Sequence, residues 1–234
     1  MPDLRPQFKH LHWRPMGHSF GVDVASDWAD KSIDDPVFGP YKNCGLWTME
    51  EAAILHNVAL AVDGEEAIDI GAHTGWTMAH IEAAGYYVHA VDPCGFAFEE
   101  RFDENNPDTT SSLYAEPSDL YFAKHFPRRN FNPSLICIDG DHSEGKPLED
   151  AQNAADHLAD AGVIMLHDGT GRPVREAVEW LMAHGFKARA YFTPHLVFCC
   201  WRGEFTPPDH VPDPIVKAAH LDGRYPDFAF EGMS

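Results

Sequence analysis

Basic residues are scarce in this chain of 234 residues: 17 lysines and arginines stand against 37 aspartates and glutamates, for a formal net charge of −20. A field of that sign repels phosphate backbones and anionic headgroups alike, which argues against nucleic acid or a membrane surface as a partner. No apolar run approaches the roughly 18 residues that a membrane-spanning helix needs, and Met1-Pro2-Asp3 opens without the basic and apolar regions of a secretion signal. The five cysteines, Cys44, Cys94, Cys137, Cys199 and Cys200, include no C-x-x-C pair. Neither a disulfide framework nor a zinc knuckle is expected, and a reducing cytoplasm is the expected setting. The chain has no internal repeat. It also lacks the three-glycine and Gly-Lys-Ser/Thr phosphate loops, which counts against a nicotinamide-dependent oxidoreductase. Fifteen histidines, by contrast, are available to offset acid charge near pH 6.

What is present centres on Ala67 to Gly75, read as AIDIGAHTG. A short apolar run stops at Gly71 and resumes after Gly75 as a helical pattern starting at Trp76. A strand that breaks at glycine and restarts as a helix is the first turn of a nucleotide-binding α/β sheet, whose ligands sit beyond the carboxyl ends of the strands. Gly71 and Gly75 let backbone approach a ligand closely. Asp69, just before the loop, suits a ligand with an amino group and a positive sulfur better than a diphosphate. The spacing Asp-x-Gly-x-x-x-Gly resembles the first motif of class I S-adenosylmethionine (SAM)-dependent methyltransferases. That resemblance implies SAM contacts from Asp69, Gly71, Ala72, His73, Gly75 and Trp76.

The remaining elements follow in order. Thr48 and Glu51 form a capping box that opens a helix to about Val62. The helix after the glycine loop runs to about Ala84, with Gly85 closing it. Tyr86 to Val91 is a second strand ending in Asp92, about 20 residues past the loop, where an acid accepts bonds from ribose hydroxyls. A polar helix and loop are expected over 95–112, then a weak strand over Leu113 to Ala115. Glu116 and Ser118 stand where such enzymes often place an adenine contact, though Ser118 equally suits a helix cap. Leu135 to Ile138 is a buried strand, followed by a helix from Lys146 through Leu158 and a fifth strand, Val163 to Leu166. A helix from Pro173 to His184 leads into a hairpin over 186–201. The fold class expected is α/β: a Rossmann-like, mostly parallel seven-stranded sheet with one strand reversed by the C-terminal hairpin, and helices on both faces. Three regions result: an aromatic strap or lid over 1–46, a core over 47–202, and a proline-rich, irregular arm over 203–234. The arm is suited to wrap its own core or a second subunit of a homo-oligomer.

Two strand ends carry acids beside histidines: Asp139 with Asp141 and His142, and His167 with Asp168. Neighbouring parallel strands would bring them to one rim, where two carboxylates and an imidazole can hold a divalent metal. Alternatively, Asp139 bonds only the loop or the cofactor, and Asp168 only the turn before Gly169. The run IDGDHS, then a helix, then a strand ending in HDG resembles the family-24 class I methyltransferases. It is also similar to the metal-dependent macrolide-sugar O-methyltransferases and their cephalosporin-pathway relatives. The resemblance implies Asp139 and Asp168 as Mg²⁺ ligands and His142 as the general base. It departs at His167, which stands where those enzymes carry an acid, so that any metal here would have to accept imidazole. The activity implied is methyl transfer from SAM to a hydroxylated small molecule or sugar. A non-catalytic SAM-binding module is the other outcome.

Overall fold

The computed structural model describes residues 47–73, 75–93, 109–126, 131–222, 225 and 228–233. The expected strap over 1–46 and most of the polar stretch 95–112 lie outside the described residues. The elements are α1 (Met49–Ala61), β1 (Glu66–Ile70), α2 (Trp76–Glu82), β2 (Tyr87–Val91), β3 (Ser112–Tyr114) and α3 (Ser118–His125). They continue with β4 (Leu135–Ile138), α4 (Lys146–His157), β5 (Val163–Leu166), α5 (Arg172–Ala183), β6 (Lys187–Tyr191), β7 (Val197–Trp201) and α6 (Pro214–Leu221).

The strands form one seven-stranded sheet in the order β3-β2-β1-β4-β5-β7-β6. β1 pairs in parallel with β2 and β4, and β5 with β4. Only β7 runs antiparallel to its neighbours β5 and β6. β4 and β5 are buried along their whole length, as near-continuous apolar runs must be when helices cover both faces of a sheet. Their side chains alternate between two cores. Leu135, Cys137, Val163 and Met165 pack with α1 and α2 on one face. Ile136, Ile138, Ile164 and Leu166 pack with α4 and α5 on the other.

The capping box of α1 is formed as expected: the Thr48 hydroxyl accepts from Glu51 N at 3.0 Å, and Glu51 Oε2 accepts from Thr48 N at 2.8 Å. α2 ends at Glu82, two residues earlier than expected, with Gly85 in the left-handed region closing the turn. The C-terminal segment is not wholly irregular. Asp213 accepts bonds from Ile215 N and Val216 N, and Pro214 needs no donor at the first helical position, so α6 forms. Beyond it Tyr225 and Phe228 are buried in the α4–α5 core, with the Arg175 guanidinium 4.4 Å from the Tyr225 ring centroid. The described part of the arm thus packs on its own chain. Among the described residues no helix is long and apolar enough to cross a membrane.

Candidate active site

The glycine loop forms where β1 meets α2. Gly71 has φ +85° and donates its N–H to Val91 O at 2.8 Å. A Cβ at Gly71 would collide with the Asp139 carbonyl, 2.5 Å from its carbon. Gly75, also at positive φ, opens α2. Between them His73 takes φ +48°, and its N–H donates to Asp92 Oδ2 at 3.0 Å. The loop of one strand is therefore tied to the acid at the tip of the next. Above the C-terminal ends of β1, β2 and β4 lies a cavity of about 670 Å³, a size typical of cofactor and small-ligand sites.

Of the residues expected to contact a cofactor, Gly71, Ala72, His73, Trp76, Asp92 and Ser118 line this cavity. Two do not. Asp69 is fully buried beneath the loop, where its Oδ2 accepts the Thr77 hydroxyl at 2.5 Å. Burial pushes its carboxyl up to about 7, only partly offset by the Thr77 bond. Asp69 therefore lies beneath the loop and not in the cavity wall. Glu116 turns away from the cavity to Lys124 and to His125, whose Nε2 lies 2.7 Å from Oε1, so the strand-end acid is used up in a surface ion cluster. Ser118 is the first residue of α3, not its cap, and its hydroxyl donates to Asp150 Oδ1 at 2.5 Å. Gly75 closes the loop without lining the cavity.

Trp47, Thr77 and Asp150 are among the lining residues that escape a reading by motif. Asp150 had a signal. It lies on the face of α4 that buries Pro147, Ala151 and Ala154, and an acid in the apolar stripe of an amphipathic helix is out of place unless it serves something. Burial pushes its carboxyl up to about 6.

The rim beside the cavity holds the second set. Asp139 follows β4 and Asp168 follows β5, the latter at φ +56°. Trp47 Nε1 donates to Asp139 Oδ2 at 2.9 Å, and its ring stacks on His167 at 4.5 Å between centroids. His142 Nδ1 lies 2.6 Å from Gly140 O, so that nitrogen carries the proton. Its Nε2 lies 3.1 Å from Asp168 Oδ2 and 3.6 Å from Asp139 Oδ1. The contact to Asp168 raises the His142 imidazole above its ordinary value, against burial. His167 has no exposed side-chain surface, and Nδ1 faces Asp139 Oδ1 at 3.2 Å and Asp168 Oδ2 at 3.5 Å. Burial would strip its proton, but the Asp139 charge and the bonds to Asp139, Asp168 and Glu51 outweigh burial and hold it well above the usual range.

Asp139, His142 and Asp168 bring three donor atoms together within 4.8 Å. The fit to Mg²⁺ nevertheless fails at His167, which meets both carboxylates with an N–H where a further oxygen donor is needed. His167 Nδ1 thus pairs with Asp139, and its Nε2 faces Glu51 Oε2 at 3.3 Å.

Residues 68–169 match the model of a family described as methyltransferase domain, family 24. Among solved structures, the O-methyltransferase from Bacillus cereus in complex with S-adenosylhomocysteine superimposes with a TM-score of 0.55 at 11% identity, over 78% of this chain and 88% of that one. The O-methyltransferase TomG from Streptomyces achromogenes, solved with SAM, gives 0.54 at 10% identity over 67% and 82%. Precorrin-6y C5,15-methyltransferase from Geobacter metallireducens gives 0.51 at 19% identity over 66% and 90%. At such identities these likenesses show the fold. No curated protein sequence matches the chain. Sheet order, glycine loop and family match together define a class I SAM-dependent methyltransferase. The family match itself spans residues 68–169, less than half of the chain.

Proposed function

We propose that this enzyme methylates a hydroxyl oxygen of a small metabolite or sugar, with His142 as the general base. The observation that carries the reading is that Asp139 lines the cavity beside the glycine loop and that His142 lies 3.6 Å from Asp139 and 3.1 Å from Asp168, next to that wall. When bound, SAM supplies an electrophilic methyl group on a positive sulfur. The cavity suits it: among the described residues Asp92, Asp119, Asp139, Asp141 and Asp150 line the walls against one lysine, Lys146. Gly71 lets the Asp139 backbone close against the loop where a Cβ would not fit, and Asp92 accepts from ribose hydroxyls.

The sulfonium is a strong leaving group, so the protein mainly has to align the reactants and remove the hydroxyl proton. His142 is arranged for that removal. The Gly140 carbonyl holds the proton on Nδ1, which leaves Nε2 as the atom that takes a proton. Asp168, 3.1 Å away, then stabilises the imidazolium that forms. Trp47 and His167 fix Asp139 on the other side of the same rim. No step requires Mg²⁺, in keeping with the poor fit of the rim to that ion.

The test is calorimetry with SAM and with NAD(H), followed by S-adenosylhomocysteine formation across a panel of hydroxylated acceptors. His142→Ala retains SAM affinity and loses turnover. Unchanged turnover would remove His142 as the base, and tight NAD(H) binding without SAM binding would replace the donor reading altogether.

A further inference from the structure

His167 has two ring nitrogens, and the rim uses only one. On the far side its Nε2 lies 3.3 Å from Glu51 Oε2, and His195 Nδ1 lies 3.1 Å from the same oxygen. These donors come from the first turn of α1, the tip of β5 and the β6–β7 turn, and their ligand atoms all lie within 4.8 Å of one another. The Glu51 and His167 side chains are fully buried, and His195 is about a quarter exposed, at 26%.

Held by protons alone, this cluster is overfilled. A carboxylate oxygen offers about two lone-pair sites, yet Glu51 Oε2 faces three nitrogens: Thr48 N at 2.8 Å and the two imidazoles. One lone pair serves Thr48, so one remains for both rings. Their contacts exceed the roughly 2.7–2.9 Å of charge-assisted bonds. They match instead the edge of a tetrahedron around Zn²⁺, roughly 3.3 Å for metal–donor bonds of about 2.0–2.1 Å. The supporting bonds of a metal site are also in place. His167 Nδ1 lies 3.2 Å from Asp139 Oδ1, the carboxylate–histidine pairing that orients a metal-bound ring. Glu51 Oε1 accepts the backbone N–H of His195 at 3.1 Å, which ties the carboxylate to the β6–β7 turn.

We propose that Glu51, His167 and His195 form a binding site for a Zn²⁺-class transition ion. Two imidazoles and one carboxylate select a borderline-soft ion over Mg²⁺. Among the described residues three protein donors meet, which leaves a fourth position for water or another oxygen. The ion takes the place of the proton on His167 Nε2 and ties α1, β5 and the β6–β7 turn together behind Asp139. The inference is independent of the methyl donor, since zinc binding is read without SAM.

The full chain, stripped with chelator, is titrated with ZnCl₂ by calorimetry and with CoCl₂ by visible absorption. One equivalent binds, and cobalt gives the intense d–d bands of four-coordinate geometry, which zinc bleaches. Glu51→Gln, which keeps a capping-box residue, and His195→Ala each weaken zinc binding by on the order of 10–100-fold or more, whereas His142→Ala, which touches none of the three donors, leaves it unchanged. Absence of saturable binding to the wild-type chain overturns the proposal. So does binding that survives His195→Ala but is lost in His142→Ala, because the ion then sits among Asp139, His142 and Asp168. Should Glu51→Gln fail to fold, His195→Ala on its partly exposed turn decides the matter.

Discussion

Replacing Gly71 by alanine tests both the loop geometry and its link to the rim. Gly71 sits at φ +85°, a conformation in which a Cβ crowds the backbone, at a cost of roughly 1–2 kcal/mol. The added methyl also drives into the Asp139 carbonyl group, with Gly140 N 2.8 Å away. Backbone cannot swing aside as a side-chain tip would, and overpacking of this kind costs about 1–3 kcal/mol more. The two effects together predict a loss of ~2–5 kcal/mol, which for a domain of this size lowers Tm by roughly 5–20 °C. The strain has a direction. Asp139 N donates to Ile70 O at 2.9 Å and Gly71 N to Val91 O at 2.8 Å, so the collision pushes the tips of β1 and β4 apart. SAM affinity and turnover therefore fall together. Urea unfolding gives the stability change, and calorimetry with SAM gives the affinity. A stability loss below about 1 kcal/mol, or full SAM affinity in the variant, would refute the reasoning.

Asp69 makes stability depend on pH in a defined window. Its folded carboxyl, pushed up to about 7, binds a proton more tightly than the unfolded chain does, near 3.8. The stabilisation is complete below pH 4 and is lost as the pH rises to about 7, by at most about 4 kcal/mol. Asp69→Asn should flatten the profile between about pH 4 and 7 in urea unfolding; an unchanged slope would assign the pH dependence to other groups. Asp92→Asn should weaken SAM binding about tenfold, the order of one charge-assisted hydrogen bond, while the fold survives by circular dichroism. Equal affinity would show that Asp92 serves only the His73 N–H.

Much of this architecture is legible in the order of residues because it is set locally. Buried parallel strands read as apolar runs, and Leu135 to Ile138 and Val163 to Leu166 are found where those runs stand. The Thr48–Glu51 capping box closes over three residues. The arm after Gly203 is a mixed case. Its prolines suggest irregular chain, yet Asp213-Pro214 is also a helix start, and α6 follows from that pair. Glu116 shows where local reasoning stops. Its position at a strand end is correct, but Lys124 and His125, one helix away, turn its carboxylate outward.

Strand ends, loop glycines and caps depend on neighbours a few residues apart, so the sequence by itself determined the sheet, the donor loop and the approach of Asp139 to Asp168. Cysteine spacing, however, says nothing about a cluster built from histidine and glutamate. Glu51 looks like a helix cap and nothing more until His167, 116 residues later, and His195, 144 residues later, close around it. Only tertiary structure decided that meeting, because hydrogen-bond and coordination distances of about 3 Å between remote positions arise from packing of the whole chain and leave no periodicity along it.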